Sequence, residues 1–116
     1  MIEIEKLLKS GADVNTSDKN GFTLLMNFVK KGDEKIVQTL LNYGANINVK
    51  DLHNMTALDC AIKNKHLNIA KLLVNSGAII TNDNYMFAIE SNYKELVSFF
   101  DTLDPNKYIF LKHKMK

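Results

Sequence analysis

The chain has 116 residues and a formal net charge of +2, a length that fits one domain and a charge too weak to indicate nucleic acid by itself. All 15 residues counted as Lys or Arg are lysine. The absence of arginine, the usual bidentate reader of phosphate and guanine, counts against sequence-specific nucleic-acid recognition. No apolar run approaches the ~18 residues of a membrane span, and Met1-Ile2-Glu3 with the mixed charges after it does not resemble a signal peptide. The single cysteine, Cys60, forbids an internal disulfide and fits a reducing compartment. The expected location is the cytoplasm or another reducing intracellular compartment, the cytosol of a host included if the chain is an effector.

Taken in chain order, the elements repeat. Gly11-Ala12-Asp13-Val14-Asn15 returns as Gly44-Ala45-Asn46-Ile47-Asn48 and more weakly as Gly77-Ala78-Ile79-Ile80-Thr81. Both steps (44 − 11 and 77 − 44) are 33 residues. The same step links Asp18 to Asp51, Thr23 to Thr56, Leu25 to Leu58 and Ile36 to Ile69. A fixed period of this length marks a solenoid whose units bury their apolar faces against their neighbours.

Residues 1–17 read as a half unit with a second helix only, in which Ile4, Leu7 and Leu8 repeat Val37, Leu40 and Leu41. With no first helix before them, their apolar surface is expected to stay uncovered. Residues 18–50 form the first complete unit. Asp18-Lys19-Asn20-Gly21 is a turn. Thr23 is expected to cap a helix carrying Leu24, Leu25, Phe28 and Val29. Gly32 breaks that helix, and Asp33 caps a second one carrying Ile36, Val37, Leu40 and Leu41, which ends at Gly44. Residues 51–83 repeat the pattern. Asn54 replaces the turn glycine and Lys65 the inter-helix glycine, where backbone strain is expected. In residues 84–103 the step falls to 27 (88 − 61): Ala88 and Leu96 answer to Ala61 and Ile69, and the six residues of the turn finger are gone. Asp101 stands where Leu41 and Val74 stand, so this shortened unit reads as a cap. Residues 104–116 are a tail, apolar and then basic, that is expected to fold back over that cap rather than serve as a linear motif.

Asp18-x-x-Gly21-x-Thr23-x-Leu25, Gly32-Asp33-x-x-Ile36-Val37-x-x-Leu40-Leu41 and Gly44-Ala45-Asn46-Ile47-Asn48 together resemble the ankyrin repeat family, over about residues 1 to 103. The resemblance implies an all-α solenoid of helix, turn, helix and β-turn finger. The family's Thr-Pro-Leu-His stands here as Thr23-Leu24-Leu25-Met26 and Thr56-Ala57-Leu58-Asp59. Loss of the Pro and His predicts lower stability, not another fold.

Catalysis needs converging groups, and the sequence offers few. His53, His66 and His113 fall on a finger, an inter-helix turn and the tail. No metal-ligand spacing, no cysteine pair and no phosphate-binding glycine loop occurs. Asp59, Cys60 and His66 are better read as a local cap, a packed thiol and the family's own turn histidine. The expectation is therefore a non-enzyme with no catalytic residue, metal or cofactor. By resemblance, partners bind the concave face formed by finger tips and first helices. The matching positions are Lys19, Asn20, Phe22, Lys30 and Lys31 in one unit, and Leu52, His53, Met55, Lys63 and Asn64 in the next. Phe22, Leu52 and Met55 are the expected apolar anchors, and Lys30, Lys31, Lys63 and Lys65 would steer an acidic partner. The expected function is a scaffold that binds a protein partner, without nucleic acid or membrane. The alternative is a module that weakly self-associates through its uncovered N-terminal edge.

Overall fold

In the computed structural model, residues 2–109 are described. Among them every regular element is an α-helix, and the single β-type pairing is an isolated bridge between Ser17 and Thr23. In chain order the helices are α1 (Ile2–Lys9), α2 (Leu24–Lys31), α3 (Glu34–Asn42), α4 (Ala57–Lys63), α5 (Leu67–Asn75), α6 (Asn82–Glu90) and α7 (Lys94–Leu103). The chain divides into two compact units, one ending at Ala78 and one beginning at Ile79.

The first helix of each full repeat starts by one device. Thr23 caps α2, accepting the Met26 N–H at 3.1 Å. Thr56 caps α4, accepting the Asp59 N–H at 3.2 Å. In each case the residue three positions on returns an acceptor to the threonine's own N–H: the Met26 sulfur at 3.4 Å and the Asp59 carboxylate at 2.9 Å. This is a capping box, with two otherwise orphaned donors satisfied reciprocally. Asp33 caps α3 through the Ile36 N–H at 3.1 Å. The carbonyl end of α3 closes at Gly44, whose φ of +85° lets the following Ala45 N–H return to the Leu40 carbonyl at 3.0 Å.

These starts turn one face of each helix inward. Leu25, Met26 and Val29 of α2, Ile36, Val37 and Leu40 of α3, Leu58, Ala61 and Ile62 of α4, and Ile69, Ala70 and Leu73 of α5 are all buried. Within the first unit α2 packs on α3 and on α4, α4 on α5, and α3 on α5. Polar side chains stitch successive loops at the repeat spacing. Asn15 Oδ1 accepts the Asn46 N–H at 2.8 Å, and Asn48 Nδ2 donates to the Gly77 carbonyl at 3.2 Å. The half unit departs from the full one in an instructive way. Leu40 is fully buried in α3, whereas Leu7, its counterpart in α1, is 52% exposed. Of the three side chains expected to leave apolar surface uncovered on one side, Leu8 is buried and Ile4 half-buried, so Leu7 is the one that stays exposed.

In the second unit α6 packs on α7. Its helix start was not legible in the repeat register. Thr81, aligned with Asn48 by the motif, is the cap of α6: it accepts the Asn84 N–H at 3.1 Å, and Asn84 Oδ1 accepts the Thr81 N–H at 2.8 Å. The core holds Tyr85, Ala88, Leu96 and Phe100. A turn at residues 105–108 brings Tyr108 back, buried, with its ring parallel to that of Tyr85 at 4.0 Å between centroids. The Tyr85 hydroxyl donates to Asp101 at 2.8 Å. Asp101, the polar residue in an aliphatic register, thus serves a buried tyrosine. Of the expected fold-back of residues 104–116, residues 110–116 lie outside the described residues.

Candidate functional site

The two fingers are built alike, from one aspartate each. Asp18 Oδ1 accepts the N–H groups of Asn20 (2.8 Å) and Phe22 (3.0 Å), while the Asp18 N–H donates to the Phe22 carbonyl at 3.0 Å. Asp51 does the same with His53 (2.8 Å), Met55 (3.0 Å) and the Met55 carbonyl (3.0 Å). A short acceptor side chain bonding backbone N–H groups ahead of it is what makes Asp a turn residue. The fingers also touch. The Leu52 N–H donates to the Asn20 carbonyl at 2.8 Å, and a Cβ at Gly21 would stand 3.3 Å from the Asp51 Cα. Gly21 therefore permits both the positive φ of +76° and the close approach of the next finger. Asp18 and Asp51 were legible as repeated positions but not as the residues that shape the tips.

On this frame the expected anchors separate. Leu52 is 74% exposed, while Phe22 and Met55 are only half-buried. Phe22 borders an open cavity of about 350 Å³ together with Thr16, Leu24 and Asn27. Lys19, Asn20 and His53 are exposed on the finger tips, and Lys30, Lys31, Lys63 and Asn64 are exposed at the C-terminal ends of α2 and α4. Lys31 places its ammonium 5.1 Å from the centre of the Phe28 ring, and the Asn64 amide donates to the Cys60 carbonyl at 2.8 Å.

The groups that tempt a catalytic reading each have another task. Asp59 accepts both the N–H and the hydroxyl of Thr56, at 2.9 and 3.1 Å. Cys60 is buried, and its thiol is pushed from about 9.0 up to about 11, first by burial and then by the charges of Asp59 and Asp51. Such a thiol stays protonated and unreactive. His66 covers Gly32, where a Cβ would fall 2.7 Å from the ring, and its Nε2 lies 3.2 Å from the Lys30 carbonyl oxygen. With Nε2 protonated the ring donates there, tying the end of α2 to the start of α5. Among the described residues no cluster of three or more His, Cys, Asp or Glu is arranged to hold a metal ion. Nor is any helix there long and apolar enough to cross a membrane.

A family model described as ankyrin repeats (3 copies) matches residues 2–85. No curated protein matches the chain. Ankyrin repeats are generally protein–protein interaction modules and typically non-catalytic. The match spans most of the chain and takes in the capping threonines, both fingers and the 33-residue register: the chain belongs to the ankyrin repeat family.

Proposed function

We propose that this chain is a non-catalytic module that binds a protein partner through its finger tips and the concave face that they form with α2 and α4. The observation that carries this reading is Leu52. A large aliphatic side chain is 74% exposed at the tip of a loop whose backbone is fixed by Asp51 and by the bond from the Leu52 N–H to the neighbouring finger. A rigid support loses little conformational entropy on binding, so an apolar tip presented this way fits an anchor. Lys19 on a finger tip and Lys30, Lys31 and Lys63 at the C-terminal ends of α2 and α4 are exposed, and their positive charge favours a partner segment bearing carboxylates. Phe22 and Met55, half-buried, support the tips more than they project from them.

The test is quantitative capture from one lysate on the immobilised native chain, Leu52→Asp and Leu7→Asp, with circular dichroism matched across the three. A partner held by the native chain and by Leu7→Asp, but reduced at least about tenfold with Leu52→Asp, is the expected result; a buried apolar anchor replaced by charge costs that much or more. Equal capture by all three would remove Leu52 from the contact face.

A second reading rests on Leu7, 52% exposed on α1. Two copies could cover this side chain with one another. Sedimentation of the native chain and Leu7→Asp over a wide concentration range separates the readings. A mass that rises with concentration only in the native chain supports pairing, and a strict monomer rejects it.

A further inference from the structure

The first finger turns on Asn20-Gly21, where the second has His53-Asn54, and no other asparagine of the chain precedes a glycine. Asn20 is exposed and Gly21 half-buried. Other asparagine side chains are spent on structure: Asn15 and Asn48 bind neighbouring loops, Asn64 the end of α4 and Asn84 the N–H of Thr81. Among the described residues no hydrogen bond engages the Asn20 carboxamide. Only its backbone is held: the Asn20 N–H donates to Asp18 Oδ1 at 2.8 Å, and the Asn20 carbonyl accepts the Leu52 N–H at 2.8 Å. The next nitrogen in the chain belongs to Gly21, which has no Cβ to shield it. Its N–H is bonded to the Asp18 carbonyl at 3.0 Å, so the turn must open before that nitrogen can react, and exposed loops open at little cost in free energy.

We propose that Asn20 is a site of covalent modification, deamidation through a cyclic imide, and that the product releases Leu52 on the neighbouring finger. In the opened turn the Gly21 nitrogen gives up its proton and attacks Asn20 Cγ. The N–Cγ bond forms, the Cγ–Nδ2 bond breaks, and Nδ2 leaves as ammonia with that proton. Water then cleaves one of the two imide C–N bonds. Cleavage at Cγ leaves an aspartate. Cleavage at the backbone carbonyl carbon leaves an isoaspartate, whose main chain runs through Cβ and Cγ. Water is the only co-reactant, and nothing is oxidised or reduced. In the isoaspartate the carbonyl that accepted the Leu52 N–H has left the main chain, and the turn has gained one carbon atom. The finger has no room for it, since even a Cβ at Gly21 would stand 3.3 Å from the Asp51 Cα. Either product also sets a new carboxylate beside Lys19, against the positive charge of this face. The effect on a partner rests on the finger reading above; the modification itself does not.

The experiment ages the folded full chain in mildly alkaline buffer and follows Asn20 by peptide mapping. Asn75, exposed at the end of α5 and followed by serine, is the internal reference. Conversion at Asn20 should be at least about tenfold faster, since glycine alone leaves the attacking nitrogen unobstructed. In the isoaspartate fraction, isolated by ion exchange, the Leu52 amide should exchange about tenfold faster, as expected for the loss of one hydrogen bond, with exchange in α2 and α4 unchanged as proof of fold. Asn20→Asp carries the same charge on an ordinary main chain and should keep Leu52 protected. Asn20→Gln, aged alongside, should keep both its side-chain amide and that protection. Conversion at Asn20 no faster than at Asn75, or seen only after unfolding in urea, would overturn the site. An isoaspartate fraction whose Leu52 amide exchanges as in the native chain would overturn the release of Leu52. Neither readout involves a partner, so failure here is distinct from failure of Leu52 as a contact.

Discussion

The two fingers of the first unit and the fingerless second unit put the same kinds of residue to opposite uses. In the fingers, Asp18 and Asp51 spend their carboxylates on backbone N–H groups, which holds a loop out from the helices and leaves Leu52 in solvent. In the second unit the loop is absent, and the polar groups close the structure on itself. Thr81 and Asn84 start α6 directly, Asp101 takes the Tyr85 hydroxyl, and Tyr108 covers the Tyr85 ring. A unit with fingers projects surface, and a unit without them conserves it. The repeat therefore supports presentation where the loop is kept and closure where it is cut.

The sharpest way to break this contrast is to remove the closing ring. Tyr108 is almost fully buried, and Tyr85, beneath it, is fully buried. Tyr108→Ala removes a large aromatic from a packed site, which typically costs about 3 kcal/mol. Denaturant unfolding should show that loss, and tyrosine fluorescence should change with the loss of the stacked pair. A loss below about 1 kcal/mol would mean that the residue merely lies on the surface of the unit. Leu52→Asp, in contrast, should leave stability within about 0.5 kcal/mol of the native chain, as expected for an exposed site.

The next effect concerns how the first unit's helices are tied together. Gly32 has a φ of +77° and lies under the His66 ring. Gly32→Ala meets both obstacles: a left-handed backbone, which costs roughly 1–2 kcal/mol for a residue with a Cβ, and an imidazole at 2.7 Å that must move away from the Lys30 carbonyl. A loss of about 2 kcal/mol in thermal or denaturant unfolding is expected. His66→Ala in the same background should recover part of it, because the steric component vanishes with the ring. A double variant no more stable than Gly32→Ala would place the whole cost in the backbone.

How much of this was legible before folding follows from the distance over which each feature is encoded. The 33-residue step, the capping threonines Thr23 and Thr56 and the C′ glycine Gly44 are local signals, and each stands in the structure where the sequence places it. Thr81 was not legible as a cap because the Gly-Ala motif pairs it with Asn48, a loop residue; helix initiation depends on the residue three positions on, Asn84, and that test would have found it. The acceptors at Met26 and Asp59 stand where the family pattern has histidine, and each takes the N–H of its capping threonine. The Tyr85–Tyr108 stack joins residues too far apart for any helical period to connect. Among the candidate contact residues, register identified the finger tips, but exposure is a tertiary property. It separates Leu52 from Phe22 and Met55, which the sequence had placed together.

A smaller effect probes the fingers themselves. Asp51→Ala removes the acceptor of two backbone N–H groups, His53 and Met55, on a partly solvated loop. Water replaces much of what is lost, so a cost of about 1 kcal/mol is expected. Partner capture should fall by more than this stability loss explains, because Leu52 loses its fixed support. Amide exchange at His53 and Met55 should quicken while α4 stays protected. If the tip keeps its protection, the contact between fingers at Asn20 and Leu52 suffices to hold it.

The smallest effect runs in the stabilising direction, at the turn between paired helices. Gly32, Lys65 and Asn92 share this position in successive units, with φ of +77°, +55° and +58°. All three therefore occupy the left-handed region, where lysine is the costliest, asparagine is tolerated and glycine is free. Lys65→Gly relieves the strain but adds freedom to the unfolded chain, and the two nearly offset, leaving a gain of roughly 0.5 kcal/mol. Asn92→Gly should gain less, since the short amide already suits this conformation. The order Lys65→Gly above Asn92→Gly, read as midpoint shifts in urea at unchanged slope, is the decisive observation. The reverse order would mean that the Lys65 side chain contributes interactions worth more than its backbone strain.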